Sequence, residues 1–206
     1  MKLTDRFIAF EGLDGCGKTT VSKAFAHKLL SMGIDVLHTR QPSSGRVGQM
    51  ISDMLKTSKL DIKVLALLFA ADRLQHYNTV IEPALSVGKV VVCDRYRLSG
   101  LAYQSPKAGL GWVQHIDAVP DPAFTFLLDL PPETAFGRIK HRGKALDYFE
   151  SVEKLSKIRE EYLKLATGGS NYDSKVILLD AMLPTSELVI KALSCLGKSF
   201  SGLSYL

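Results

Sequence analysis

Gly12-Leu13-Asp14-Gly15-Cys16-Gly17-Lys18-Thr19 fits the pattern G-x-x-x-x-G-K-[ST] without a gap. Before it, Arg6-Phe7-Ile8-Ala9-Phe10-Glu11 reads as a short β-strand. After it a helix is expected over residues 18–32, with Gly33 where a C-terminal cap belongs. Strand, glycine-rich turn and helix in that order are the setting in which the pattern means a phosphate-binding loop. The glycines let successive N–H groups curl around one concavity, and the helix that starts there turns the positive end of its dipole toward the same anion. Lys18 can then reach the β- and γ-phosphates of a nucleoside triphosphate, and the Thr19 hydroxyl can ligate Mg²⁺. Cys16, inside the loop, reads either as a small filler residue or as a redox-sensitive thiol.

Outward from the loop, strands alternate with helices. Residues 34–38, 89–94, 124–128 and 176–179 read as further strands, and Lys89-Val90-Val91-Val92-Cys93-Asp94 has the β-branched run of a strand buried on both faces. Helices are expected over 46–55, 60–85, 149–166 and 185–196, and one more opens at Pro131-Pro132-Glu133 with proline in its first turn. Such alternation predicts an α/β fold: a doubly wound, parallel, five-stranded sheet with helices on both faces. No repeat or linker divides the chain. Residues 1–196 read as one domain, and the Ser- and Gly-rich residues 197–206 as a frayed tail.

The chain has 206 residues, 46% of them hydrophobic and 23% charged, which excludes a disordered chain, a collagen-like fibre and a disulfide scaffold. No apolar run reaches the roughly 18 residues that span a bilayer, and the N-terminus lacks a secretory hydrophobic region. No membrane partner is expected. Three widely spaced cysteines, Cys16, Cys93 and Cys195, read as reduced thiols of a cytoplasmic protein. A net charge of +5 suits small phosphorylated anions as well as nucleic acid, but no nucleic-acid-binding motif accompanies it and no such partner is expected.

Three further features narrow the chemistry. A GTPase would carry Asn-Lys-x-Asp after a strand, and the nearest string, Asn171-Tyr172-Asp173-Ser174, has the wrong residues. Instead Asp94-Arg95-Tyr96 closes a strand. A carboxylate there faces the ligand crevice, where Asp94 can hold Mg²⁺ through water or orient an acceptor phosphate, with Arg95 forking onto a second phosphate. Arg138-Ile139-Lys140-His141-Arg142-Gly143-Lys144 is the densest basic run, either a solvated face or a mobile lid over the transferring phosphoryl group. The loop has no arginine of its own, so another cation must serve. If the helix from Pro131 continues through the run, Arg138 and Arg142 share one side. At about 100° per residue, Val64, Leu67, Leu68 and Ala71 form the expected core stripe of helix 60–85, with Phe69 and Arg73 on the opposite side. From periodicity alone Phe69 fits a ring stacked on a flat base or a second buried face equally well.

With these residues in hand, the sequence resembles the thymidylate kinase family. The strings that carry the resemblance are Phe10-Glu11-Gly12 running into the loop, Thr39-Arg40-Gln41-Pro42, Leu68-Phe69-Ala70-Ala71-Asp72-Arg73, Asp94-Arg95-Tyr96 followed by Ser99 and Ala102-Tyr103-Gln104, and Leu128-Asp129-Leu130-Pro131-Pro132-Glu133. They stand in family order and cover roughly residues 7–166. The resemblance implies transfer of the γ-phosphoryl group of ATP to dTMP, giving dTDP for dTTP synthesis, with Mg²⁺, in a cytoplasmic homodimer. It implies that Gly12, Leu13, Asp14, Gly15, Cys16, Gly17, Lys18, Thr19 and Thr20 bind ATP, with Thr19 and Asp94 serving the metal. Asp14 would also contact the 3′-hydroxyl of dTMP, Phe69 would stack on thymine, and Arg73 would bond its edge. Arg95 would clamp the dTMP phosphate, Tyr103 would lie against C2′ of the sugar, and Ser99 and Gln104 would line the same site. A loop without arginine is similar to the branch whose catalytic arginines come from the lid, residues 138–149, here Arg138 and Arg142. The sequence departs from the family at several positions. The family's Arg-Glu-Pro-Gly-Gly-Thr is Arg40-Gln41-Pro42-Ser43-Ser44-Gly45. Ser52 stands where an arginine is frequent, which leaves Arg46, then Arg40, for that phosphate contact. Gly100 replaces a frequent polar residue, and Tyr148 a frequent arginine.

Overall fold

Three apolar runs, rich in residues that favour pleated, buried backbone, form the middle of a sheet: β1 (Phe7–Gly12), β3 (Val90–Asp94) and β4 (Phe124–Asp129). A computed structural model describes residues 3–56, 61–143, 146–168 and 171–196 of the chain. In it β2 (Val36–Arg40) and β5 (Lys175–Asp180) flank the central three in the order β2-β3-β1-β4-β5, all parallel. The less buried strands are the two edges, as their more polar sequences require. Alternation along β1 divides the core. Ile8 and Phe10 face one side, where Phe10, Phe25 and Phe126 stack with centroids 5.2–5.9 Å apart. Phe7 and Ala9 face the other, against Tyr77, Ile81 and Tyr96. The five-stranded, doubly wound expectation is met.

Phe10 pairs with Asp94 across β1 and β3, so the end of the glycine-rich strand lies beside the end of the Asp-Arg-Tyr strand. The chain leaves β1 toward the β2 edge and leaves β3 toward β4, which places both carboxyl ends at the crevice of an open α/β sheet.

The helices are α1 (Lys18–Ser31), α2 (Arg46–Met54), α3 (Ile62–His76), α4 (Glu82–Ser86), α5 (Arg97–Ala108), α6 (Leu110–Ile116), α7 (Pro132–His141), α8 (Val152–Ala166) and α9 (Thr185–Leu196). Three expectations need correction. The single helix read over 60–85 is α3, a widened turn over Tyr77–Ile81, and α4. Asp61 caps α3 by accepting from the N–H groups of Lys63 and Val64, and the widened turn precedes Pro83, which has no N–H to continue the ladder. Second, most of the stripe assigned to the core faces outward: Val64 is 46% and Leu67 50% exposed, and Ala71 is exposed too, while Leu68 is half-buried against the core. The buried face is Ile62, Leu65, Ala66 and Ala70. Periodicity cannot choose between two apolar faces of one helix. Third, α5 and α6 were not read from sequence: Gly100 and Pro106 mask α5, and Gly109 at φ 91° turns the chain between them. The expected fraying of 197–206 lies outside the described residues, as does Lys144.

Candidate active site

Gly12 ends β1 with φ 136°, and a Cβ there would stand 2.4 Å from the Leu128 carbonyl oxygen. Only glycine lets the loop pass β4 this closely. Lys18, buried at the start of α1, donates through Nζ to the carbonyls of Gly12 (2.9 Å) and Leu13 (2.5 Å). Its ammonium is thus poised inside the loop. Cys16 is buried, with Sγ 3.7 Å from that ammonium.

Beside the loop, Thr19 Oγ1 donates to Asp94 Oδ2 at 2.5 Å, and Asp94 Oδ1 is buried with no hydrogen-bond partner among the described residues. A hydroxyl next to an orphaned carboxylate oxygen is the donor set Mg²⁺ takes when it keeps its waters and binds phosphates. No cluster of three or more acidic, His or Cys ligands occurs among the described residues.

Arg95 follows in the left-handed region at φ 67°, an unusual conformation for a side chain of this size. Glu11 secures the corner from below. It is 0% exposed and accepts from the backbone N–H of Tyr96 (2.8 Å) and of Ser99 (3.1 Å), and from the hydroxyls of Ser99 and Tyr162. Arg95 donates to Asp14 Oδ1 at 2.5 Å and to Ser99 Oγ at 3.2 Å. Tyr103 donates to Asp14 Oδ2 at 2.9 Å. Burial alone would raise Asp14, but the Arg95 and Lys18 cations outweigh it and hold the carboxyl at about 2. Burial also opposes the Arg95 charge, and Asp14 more than restores it, so Arg95 stays above its ordinary value.

These groups wall a cavity of about 410 Å³. Phe69 and Arg73, one turn apart on α3, line it with Gln104, as do Arg40, Ser52 and Lys56. Asp147 and Phe149 close it from the α7–α8 segment. Burial, with the Asp14 and Glu150 carboxylates nearby, pushes Asp147 up to about 6. A second cavity, about 420 Å³, is lined by Cys16, Gly17, Thr20, Arg138 and the turn Ala181–Pro184 after β5. The phosphate loop stands between the two, since Gly17 and Thr20 line both.

The structure therefore gathers Asp14, Lys18, Thr19, Arg40, Phe69, Arg73, Asp94, Arg95, Ser99, Tyr103, Gln104 and Arg142 around one cavity. It does not bring in Arg46, which is exposed at the start of α2 and lines neither cavity; Lys56, near the other end of that helix, does so instead. Arg138 and Arg142 do not share a side. The helix stops at His141, because Gly143 takes φ 66°, and Arg142 turns to the first cavity while Arg138 lines the second, both its Nη atoms 3.5 Å from the Ala181 carbonyl. Sequence reasoning missed Glu11, Lys56, Asp117 and Asp147 as parts of the site. Of these, Glu11 had a signal: a carboxylate in an otherwise apolar buried strand needs donors.

A mononucleotide-sized cavity and a second cavity, joined by a phosphate-binding loop and bordered by arginines, define a P-loop nucleotide kinase. The thymidylate kinase family model matches residues 10–191. The chain is 42% identical over 168 residues to a probable thymidylate kinase of Pyrococcus horikoshii, covering 78% of this chain and 82% of that one. It is 38% identical over 201 residues to a probable thymidylate kinase of Pyrobaculum calidifontis, and 34% identical over 211 residues to a thymidylate kinase of a Geobacillus species, each covering 96% of this chain and 98% of the relative. The chain belongs to the thymidylate kinase family, and it is an ATP-dependent kinase.

Proposed function

We propose that residues 1–196 form one catalytic unit that transfers the γ-phosphoryl group of ATP to dTMP, giving dTDP. The observation that carries this is the single cavity lined by an aromatic ring and a buried arginine together with the phosphate loop, Asp94 and Arg95. Phe69 stacks on the base and Arg73 bonds its edge. Tyr103, held by Asp14, packs against C2′ of the sugar. Arg95 takes the acceptor phosphate, with Arg40 and Lys56 in the same lining. The adenosine end of ATP occupies the second cavity against Arg138. Lys18 leaves the loop carbonyls for the β- and γ-oxygens. Thr19, and Asp94 through water, would hold Mg²⁺, which would supply neutralising charge there. The acceptor phosphate is already an anionic nucleophile, so no general base is needed. Buried, unpaired Cys16 and Cys93 suit a reducing cytoplasm. ADP release measured across dTMP, dUMP, UMP, dCMP and AMP tests the assignment; a preference for AMP or UMP would overturn it.

Phe69→Ala should weaken dTMP binding by about 1–3 kcal/mol, the value of one base–aromatic stack, and leave ATP binding nearly unchanged. Calorimetric titration of each nucleotide decides it, since an equal loss for both would make Phe69 a packing residue.

We propose further that the chain works as a homodimer. The outward stripe Val64, Leu67, Ala71 and Leu74 is a continuous apolar face on α3, of the kind an isologous contact buries. Sedimentation at micromolar concentration should give about twice 22.6 kDa, and Leu67→Glu should halve it. A wild-type monomer would refute the dimer.

A further inference from the structure

Arg73 is 2% exposed, a costly place for a guanidinium unless its donors are met. Nε donates to Asp117 Oδ1 at 2.8 Å, and Nη1 donates to Gln41 Oε1. Gln41 in turn donates through Nε2 to His76 Nδ1 at 3.3 Å, which leaves the proton on His76 Nε2, facing Thr39 Oγ1 at 2.8 Å. The guanidinium lies 5.6 Å from the Tyr96 ring centroid. Among the described residues, Nη2 donates to nothing. It lies above Gly100: a Cβ built there would be 2.6 Å from Nη2, 3.3 Å from Gln104 Oε1 and 3.5 Å from Asp117 Oδ2.

We infer that Asp117, buried at the end of α6 and outside every motif in the chain, is a positioning residue for acceptor selection: with Gln41 it locks Arg73 so that Nη2 is left to face the base, in space that Gly100 leaves open. The inference rests on the reading of this cavity as the dTMP site. Gln41 is neutral, so the Arg73 ion pair is made with Asp117. A free guanidinium is a fork that takes any pair of oxygens, phosphate included. With Nε and one Nη1 N–H taken, the Nε edge is closed to an oxygen pair, and Nη2 with the second Nη1 N–H remains to donate. A donor without acceptor capacity complements a ring carbonyl, as at the 4-position of thymine or uracil, and leaves the 4-amino group of cytosine facing N–H. Asp117 thus acts through Arg73 and does not touch the substrate.

The test is steady-state kinetics of the wild type, Asp117→Asn and Gly100→Ala, each with dTMP, dCMP and ATP varied, alongside thermal melts. Asp117→Asn keeps the shape and removes the charge that holds Nε. It should raise the KM for dTMP about tenfold or more, lower the dTMP-to-dCMP ratio of kcat/KM, and leave the KM for ATP within about twofold. Gly100→Ala keeps both Arg73 partners and displaces Nη2; it should move the same quantities in the same direction, and Asp117→Glu, which keeps the charge but displaces it from Nε, takes the place of Asp117→Asn if that variant does not fold. Where wild type uses dTMP, an unchanged dTMP KM in the folded variants, or parallel rises in both KM values with a lowered melting temperature, overturns the inference and leaves the dTMP reading standing. A wild type that prefers dCMP overturns both.

Discussion

Lys18→Ala should lower kcat by at least about 10³-fold while the protein keeps its fold. In the structure the ammonium is held by the Gly12 and Leu13 carbonyls, inside the concavity that receives phosphate. Only short bonds to loop carbonyls need to be exchanged for it to follow the β- and γ-oxygens through a loose transition state. A methyl group offers neither charge nor donor. The Arg95 Nη1 to Gly12 carbonyl contact, at 3.3 Å, survives the change, so the loop retains one of its ties. Measured kcat with circular-dichroism melts checks the expectation. Activity within threefold of wild type would remove the phosphate-loop assignment and with it the proposed reaction.

Arg142→Ala and Arg138→Ala should fail in different ways. Arg142 caps α7, is exposed, and lines the cavity that holds Asp94 and Arg95. From there its planar fork can close onto the transferring group, and its loss should approach the roughly 10³-fold fall in kcat seen for arginine fingers, with little change in KM. Arg138 lines the second cavity beside Ala181, so its loss should appear mainly in the KM for ATP. Arg159 does not stand ready to replace Arg142, because Asp129 takes it through Nε at 2.6 Å and Nη2 at 2.8 Å. Steady-state constants for both variants at saturating Mg²⁺ decide the matter. Near-normal kcat in both would make the basic run a solvated surface.

How far the sequence alone leads depends on how local the cause is. The phosphate loop was legible to the residue, because its turn, its glycines and the helix dipole lie within one short segment. The parallel sheet was legible because apolar β-branched runs admit few alternatives. The two faces of α3 were not: both are apolar, and only the sheet beneath decides that Leu65 and Ala66 go in while Val64 and Leu67 stay out. α5 escaped notice because its small and polar positions match no apolar period, although it presents Ser99, Tyr103 and Gln104 to the cavity. Asp117 had no signal at all. Its partner Arg73 is 44 residues away, and the ion pair exists only because α3 and the end of α6 meet in the fold. The divergence of Arg138 and Arg142 likewise turned on one backbone angle at Gly143.

The shared wall between the two cavities has a kinetic consequence. Gly17 and Thr20 border both spaces, yet each cavity has its own remaining lining, so on the proposed placement donor and acceptor fill different spaces and neither need leave before the other arrives. In the proposed reaction the phosphoryl group then passes directly from donor to acceptor inside a ternary complex, and no side chain carries it in between. Double-reciprocal plots for the two nucleotides accordingly intersect instead of running parallel, and the nucleoside diphosphate products depart independently of one another.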